Sequence, residues 1–273
     1  MRVIPEKRWD SLYKYIEYLR HFSAYIYATK YLFGKRILEI GCGTGYGTAY
    51  LSEIGFSFIV ASDIDKEVLY FINNKYPFKF FLIACDGTFL PFKENQFDAV
   101  ISFQVIEHLT PKDVINYSSE IKRVLTKNGL FICTTPNKRL RLLPFQKPWN
   151  PEHKKEYNEK ELKKLLSKVF GHINIYGLCS SKEILEIERQ RVKQDPTKVY
   201  IVDPLSKIYP FRLCYKLLKK MFTNQIFLKN KKNNRQESFI QEIEPKKLSV
   251  RNFFLDPTCP KNSLDWFVVC KNL

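Results

Sequence analysis

Four glycines stand within seven residues of the stretch ILEIGCGTGYG, which spans residues 37–47, although the whole chain has ten. Glycine lets a backbone approach a ligand closely and leaves amide groups directed at it. The phosphate-binding pattern G-x-x-x-x-G-K-[ST] and the dinucleotide pattern G-x-G-x-x-G are both absent from this stretch. An acid, Glu39, lies in the apolar run before the glycines, where it would repel a pyrophosphate. It would suit a cation such as an ammonium or sulfonium group.

Further acids and histidines follow apolar runs. Asp63 ends FIVASD and Asp86 ends FKFFLIACD, and each offers two carboxylate oxygens to a ligand. An aspartate in such a place is also common as a turn residue or a helix N-cap. Glu107 and His108 follow a third run, and His153 lies in NPEHKKEY. These three side chains are candidate bases, and each could equally cap or orient a loop.

Strand-like and helix-like segments alternate along most of the chain, and this alternation must position those residues. The patterns predict strands at 36–41, 56–63, 78–86, 97–105, 130–136, 172–178 and 264–272. They predict helices at 8–32, 46–54, 66–76, 111–125 and 158–170, with a turn at Asn128 and Gly129. We therefore expect a doubly wound, Rossmann-like α/β fold, with a seven-stranded, mostly parallel sheet and helices on both faces. Ligands of such sheets bind at the carboxyl ends of the strands, where the glycine-rich stretch would lie.

The stretch ILEIGCGTGYGTAYL resembles the first motif of class I S-adenosylmethionine-dependent methyltransferases. The later stretches ACDGTFLPFKENQFDAVIS, FQVIEHL and VLTKNGLFICTTPN are similar to further motifs of that family, and the resemblance covers about residues 25–180 and the last strand. It implies an enzyme with S-adenosylmethionine as cofactor. It also implies that Asp63 holds the ribose hydroxyls, that Asp86 meets the adenine and that Gln104 lies near the amino-acid part. The full set expected to bind the cofactor is Glu39, Gly41, Cys42, Gly43, Gly45, Asp63, Ile64, Asp86, Gly87 and Gln104.

The stretch TTPNKRLRLLPFQKPWNPEHKKEYNEKEL resembles a type 11-like subgroup that carries T-P-N and N-P-x-H-x-x-E-Y motifs. This resemblance implies a small-molecule, sugar or lipid-linked glycan acceptor. His108, His153 and Glu107 are then the candidate catalytic residues. We also expect an acceptor-binding set of Asn137, Trp149, Asn150, His153, Glu156 and Tyr157, for which an ordinary surface loop is the alternative.

Three parts are expected along the chain. They are an N-terminal helical lid at 1–35, a methyltransferase domain at 36–180 and 261–273, and a basic helical insertion at 181–260. The insertion would hold helices near 182–194 and 204–222 and a Lys/Asn-rich linker at 229–236. Residues 205–250 hold eleven Lys or Arg against three acids, a local net charge of +8. The helix at 204–222 would lie on an anionic membrane or pack as a lid over the acceptor.

The net charge of +17 leaves a nucleic-acid methyltransferase as the alternative function. Against it, the chain lacks N-P-P-Y or D-P-P-Y after the fourth predicted strand, and it lacks the Pro-Cys pair of cytosine C5 enzymes. The seven cysteines are scattered without C-x-x-C spacing, and no H-x3-5-H pair occurs, so the sequence predicts no metal site. Reduced thiols and the lack of a secretion-signal pattern favour a cytoplasmic protein. Peripheral contact with an anionic membrane is a second expectation. The oligomeric state cannot be predicted.

Overall fold

The computed structural model of the chain describes residues 5–56, 58–77, 79–148, 150–193 and 248–273. Within these residues, eight strands form one sheet in the order β3-β2-β1-β4-β5-β8-β6-β7. The strands are β1 Ile37–Ile40, β2 Ile59–Asp63, β3 Phe81–Ala84, β4 Phe97–Phe103, β5 Leu125–Pro136, β6 His172–Ser180, β7 Phe253–Asp256 and β8 Asp265–Lys271.

The sheet has a parallel half and an antiparallel half. Strands β1 to β5 pair in parallel, whereas β8 pairs antiparallel with both β5 and β6, and β7 pairs antiparallel with β6. The chain runs outward from β1 through β2 to β3 and then returns to β4 on the other side of β1. Strand order therefore reverses between β1 and β4, and this confirms the doubly wound α/β class and its crevice.

Seven α-helices accompany the strands in the described part of the chain. They are α1 Leu12–Leu32, α2 Tyr46–Glu53, α3 Lys66–Lys75, α4 Pro111–Val124, α5 Lys138–Arg141, α6 Glu159–Leu166 and α7 Lys182–Val192. Their starts follow local chemistry. The Ser11 side chain caps α1, and Asn158 with Glu161 forms a capping box at α6. No described helix has the length and apolar content needed to span a bilayer.

The helices cover both faces of the sheet. On one face Val114, Tyr117 and Ile121 of α4 and Leu162 and Leu166 of α6 pack in a buried cluster with apolar strand residues. On the other face, apolar residues of α1 pack against β1, β4 and β8. Burying both faces explains why the central strands β1 and β4 are mostly apolar and do not alternate between apolar and polar residues.

The prediction of seven strands was wrong, because β7 is an eighth. Its residues Phe253–Asp256 pair with β6 at the edge of the sheet, inside the segment that was expected to be a helical insertion. A four-residue edge strand is too short to give a readable period, which is why the sequence did not predict it. The first predicted helix of that segment is present as α7. The helix at 204–222 and the linker at 229–236 lie outside the described residues.

The turn predicted at Asn128 and Gly129 was expected between a helix and the strand at 130–136, but that strand already begins at Leu125. Both residues lie inside β5, where Phe97 pairs with Leu125 and Ala99 pairs with Leu130. The intervening residues 126–129 therefore form a bulge, and Asn128 takes a positive φ of 65° within it. The sequence correctly marked Asn128 as a residue with an unusual backbone conformation, but β5 continues on both sides of it.

Candidate active site

A cavity of about 590 Å³ opens at the carboxyl ends of β1, β2, β3 and β4. Eight of the ten residues expected to bind the cofactor line it, namely Gly41, Cys42, Gly43, Asp63, Ile64, Asp86, Gly87 and Gln104. Glu39 and Gly45 are not among the described lining residues. The reversal of strand order thus brings together residues from four segments of the sequence.

The glycine-rich loop presents backbone to this cavity. Gly43 has a φ of +54°, and a Cβ placed on it would meet nothing within 4 Å, so the space above it is open. Gly47, at the start of α2, serves packing instead, because its Cβ would lie 1.9 Å from the Tyr25 ring. The loop is thus bare towards the cavity and tightly packed against α1.

The Asp63 carboxylate is buried at the end of β2 and organises the loop. Its Oδ2 accepts from the Gly43 amide at 3.0 Å, and its Oδ1 accepts from the Asp65 amide at 3.0 Å. A carboxylate has about four acceptor positions, so these two bonds are compatible with further donors from a ligand.

Two more expected residues border the cavity at the ends of β3 and β4. Asp86 is exposed, and its Oδ1 accepts from both the amide and the hydroxyl of Thr88 at 2.8 Å. Gln104 has a φ of 58°, which is unusual for a residue with a side chain. Its Nε2 donates to Thr134 Oγ1 at 3.1 Å, and its backbone amide donates to the Thr134 carbonyl at 2.9 Å. These bonds hold a sharp backbone turn directly beside the cavity.

Glu39 acts inside the protein rather than on the cavity wall. It is buried in β1, and its two oxygens accept from the Tyr25 hydroxyl, at 2.6 Å, and from the Thr48 hydroxyl. Burial raises the pKa of this carboxyl. In this structure, therefore, Glu39 ties α1 and α2 to the end of β1.

Two residues that the sequence reasoning missed, His21 and Tyr25, line the cavity from α1. They are four residues apart and so lie on one helix face, a spacing that could have identified them. The Tyr25 ring stands edge-on to Phe103, with ring centroids 4.8 Å apart. Burial lowers the pKa of His21 well below its usual value, so its imidazole is neutral near pH 7.

The three candidate catalytic residues lie together, and one of them borders the cavity. His108 lines the cavity, and its ring centroid is 5.0 Å from that of His153 in an edge-to-face contact. Glu107 is buried beside them, and its Oε2 accepts from the Thr135 hydroxyl at 2.9 Å. Burial raises the pKa of Glu107 to about 8.

A buried charge network lies next to these three residues. Arg20 of α1 pairs with Glu188 of α7 at 3.4 Å and with Asp265 of β8 at 3.3 Å. Glu156 pairs with Arg141 at 3.2 Å and with His153 at 2.8 Å. The network joins segments that are far apart in the sequence, so no local pattern could have predicted it.

Most of the other expected acceptor residues have structural partners. Asn137 is fully buried, and its Nδ2 donates to the carbonyls of Lys261 and Ser263. Asn150 Oδ1 accepts from the Glu152 amide. Tyr157 is buried too, but its hydroxyl has no hydrogen-bond partner among the described residues. Trp149 lies outside the described residues.

Residues 38–133 match the family model described as a methyltransferase domain. The chain carries a class I S-adenosylmethionine-dependent methyltransferase domain. A probable S-adenosylmethionine-dependent methyltransferase of Mycolicibacterium smegmatis is 35% identical over 134 residues, which are 49% of this chain and 50% of that protein. A fatty-acid O-methyltransferase of the same organism is 27% identical over 225 residues, covering 81% of this chain and 75% of its own.

The fold agrees with this membership. The crystal structure of an S-adenosylmethionine-dependent methyltransferase from Thermotoga maritima superposes with a TM-score of 0.56 at 13% identity, covering 98% of this chain and 97% of its own. The chain spans about half the length of the first curated relatives that it matches. At such low identity the structural likeness concerns the fold, and the acceptor has to be inferred from the site.

S-adenosylmethionine is the cofactor of this methyltransferase family, and the cavity of this methyltransferase domain fits it. Ligand pockets are typically about 300–1,000 Å³, and this cavity lies within that range. The open space above Gly43 admits a ligand against bare backbone. Asp63 and Asp86 supply acceptor oxygens for hydroxyl and amino donors.

Proposed function

We propose that this protein is a methyltransferase that transfers the methyl group of S-adenosylmethionine to an oxygen of a small or lipid-like acceptor. The observation that carries the proposal is one continuous cavity that is lined both by residues expected to bind the cofactor and by two histidines, His21 and His108. The glycine loop, Asp63 and Asp86 form the cofactor end, and His21, His108 and Glu152 lie at the acceptor end. The fatty-acid O-methyltransferase that matches 81% of this chain acts, by its name, on a fatty-acid oxygen, which supports the same acceptor class.

When bound, S-adenosylmethionine supplies a methyl group on a sulfonium that is already a good leaving group. The chain's own residues have to hold the acceptor in line within about 3–3.5 Å and keep water out. Asp63 and the Gly43 backbone would fix the nucleoside, and the turn at Gln104 would face the amino-acid part. The Tyr25 and Phe103 rings would shield the centre of the cavity, since both line it.

His108 is the best-placed group to orient an acceptor hydroxyl or take its proton. It is half-buried on the cavity wall, and burial lowers its pKa, so that the neutral imidazole is available near pH 7. His153 would act through His108, because its ring packs against that of His108.

Fractionation of the acceptor pool tests the proposal. Wild-type protein and S-adenosylmethionine with a labelled methyl group would be incubated with lipid, small-molecule and RNA fractions of a cell extract. We expect label in the lipid or small-molecule fraction. The net charge of +17 makes RNA the competing acceptor, and label there alone would replace our proposal with a nucleic-acid function.

Gly43→Val should abolish the transfer, because a branched side chain would fill the open space above the loop. Gly34→Val is the matched control, since Gly34 has a similar φ of +68° and open surroundings but does not line the described cavity. Equal transfer by wild type and Gly43→Val would show that the label does not pass through this cavity.

A further inference from the structure

Glu107, His108 and His153 form a compact cluster of possible metal ligands. One ligand atom from each residue lies within 4.8 Å of the other two. Donors at about 2.1 Å from one ion are at most about 4.2 Å apart, so a small side-chain rotation would close the cluster around a cation. Two imidazoles and one carboxylate on one side of an ion leave its other positions open, as in catalytic metal sites.

The hydrogen bonds of the two imidazoles favour the same interpretation. His153 Nδ1 lies 2.8 Å from Glu156 Oε1, and His108 Nδ1 lies 3.1 Å from the Glu152 carbonyl. A histidine that binds a metal through one nitrogen usually donates its other N–H to a carboxylate or a backbone carbonyl. Both partners present here are of those kinds. Among the described residues, no hydrogen bond engages Nε2 of either ring, so these nitrogens are available as ligands.

The cluster is held in place from both sides. Glu107 and His108 belong to the short 3-10 turn Ile106–His108 after β4. The amides of Lys154 and Lys155, directly after His153, donate to the Glu107 carbonyl at 2.8 and 3.2 Å. Because Glu156 also pairs with the buried Arg141, the partner of His153 is itself fixed. The three side chains are therefore preorganised by backbone contacts rather than brought together by chance on a mobile surface.

We propose that Glu107, His108 and His153 bind one divalent cation of the kind that imidazole favours, such as Zn²⁺, Co²⁺ or Ni²⁺, at the acceptor end of the cavity. His108 lines that cavity, so the open positions of the ion would face the space that the acceptor occupies. Mg²⁺ fits less well, because it prefers oxygen ligands.

The role of the ion rests on the proposed function, and with the ion bound His108 would orient the acceptor hydroxyl through the ion instead of taking its proton directly. Bound to an acceptor hydroxyl, the cation would lower the pKa of that hydroxyl, and its proton would pass to solvent. The oxygen lone pair would form the new O–CH₃ bond while the C–S bond breaks and its electron pair stays on sulfur. The ion would thus orient the acceptor and stabilise its anionic form, without any change of oxidation state.

Sequence reasoning predicted no metal site because it searched for close histidine spacing. The two histidines are at positions 108 and 153, and only the fold brings them together.

Titration of chelator-treated full-length protein with the metal alone tests the proposal. We expect calorimetry to show one Zn²⁺ per chain, and Co²⁺ to give a visible spectrum without thiolate charge transfer, which would exclude the cysteines as ligands. His108→Ala and His153→Ala should each weaken Zn²⁺ binding at least about tenfold. His172→Ala is the matched control, because His172 is exposed at the start of β6 and lies outside the cluster.

Several outcomes would overturn the proposal. They are no Zn²⁺ or Co²⁺ binding by the wild type, a thiolate spectrum, or equal affinity in wild type and folded His153→Ala. The wild-type titration decides the matter even if a variant fails to fold. It contains neither cofactor nor acceptor, so a protein that transfers methyl groups but binds no metal would refute this inference alone.

Discussion

The two ends of the cavity are built in different ways. At the cofactor end, the loop after β1 and the carboxylate at the end of β2 are joined by direct bonds, such as that from the Gly43 amide to Asp63. At the acceptor end, Arg20 joins α1 to α7 and β8 through buried charges, and the loop at 150–157 is joined to α5 by the buried pair of Glu156 and Arg141. A local loop can change its ligand contacts without changing the fold. A network of buried charges cannot, because removing one partner leaves another charge unpaired.

This difference predicts that the acceptor end contributes to stability and the cofactor end mainly to binding. The largest effect should come from Arg20→Leu, which leaves Glu188 and Asp265 buried without their shared partner. We expect a loss of about 3–5 kcal/mol in the free energy of unfolding, measured by urea denaturation.

Lys14→Leu is the matched control for Arg20→Leu. Lys14 lies on the same helix and pairs with Asp10 at 2.7 Å, but both side chains are well exposed. Its loss should cost about 0–1 kcal/mol. If the two variants were equally stable, the buried network would not support the fold more than a surface pair does.

Asp63→Ala tests the cofactor end and should give the next largest effect. It removes an acceptor of ligand hydrogen bonds and releases the Gly43 amide. We expect S-adenosylmethionine binding to weaken by about 2–4 kcal/mol in calorimetry, while the free energy of unfolding falls by less than in Arg20→Leu, because only the two backbone amides of Gly43 and Asp65 lose a partner. Glu67→Ala is the control, since Glu67 is an exposed acid on α3 outside the described cavity lining. Unchanged affinity in Asp63→Ala would remove Asp63 from the cofactor site.

The same contrast explains what could be predicted from the sequence. The glycine loop, Asp63 and Asp86 follow apolar strands directly, so a pattern of strand and loop is enough to place them. His21 could have been found from its helical spacing to Tyr25. The pairing of Arg20 with Asp265 could not, because 245 residues separate them and neither side chain differs locally from a surface charge. Strand β7 was missed for a related reason, since its identity depends on pairing with β6 rather than on its own four residues.

The smallest effect should come from an ion pair that belongs to neither end of the cavity. Arg36 and Asp98 lie near the amino ends of β1 and β4, with Nε 2.9 Å from Oδ2, and the pair is partly exposed. The Arg36 guanidinium lowers the pKa of Asp98 to about 2. A carboxylate with a lowered pKa stabilises the fold at pH values above its unfolded-state pKa, and this contribution is lost as the pH falls through the folded-state value.

Asp98→Asn should therefore lower the free energy of unfolding by about 1 kcal/mol at pH 7, a small value because the pair is partly exposed to solvent. The difference in stability between Asp98→Asn and wild type should shrink between pH 4 and pH 2. Urea denaturation across that range measures it, with Glu53→Gln, a variant of the more exposed pair with Lys79, as control. A cost that stayed constant down to pH 2 would mean that the variant acts through packing of the side chain and not through its charge.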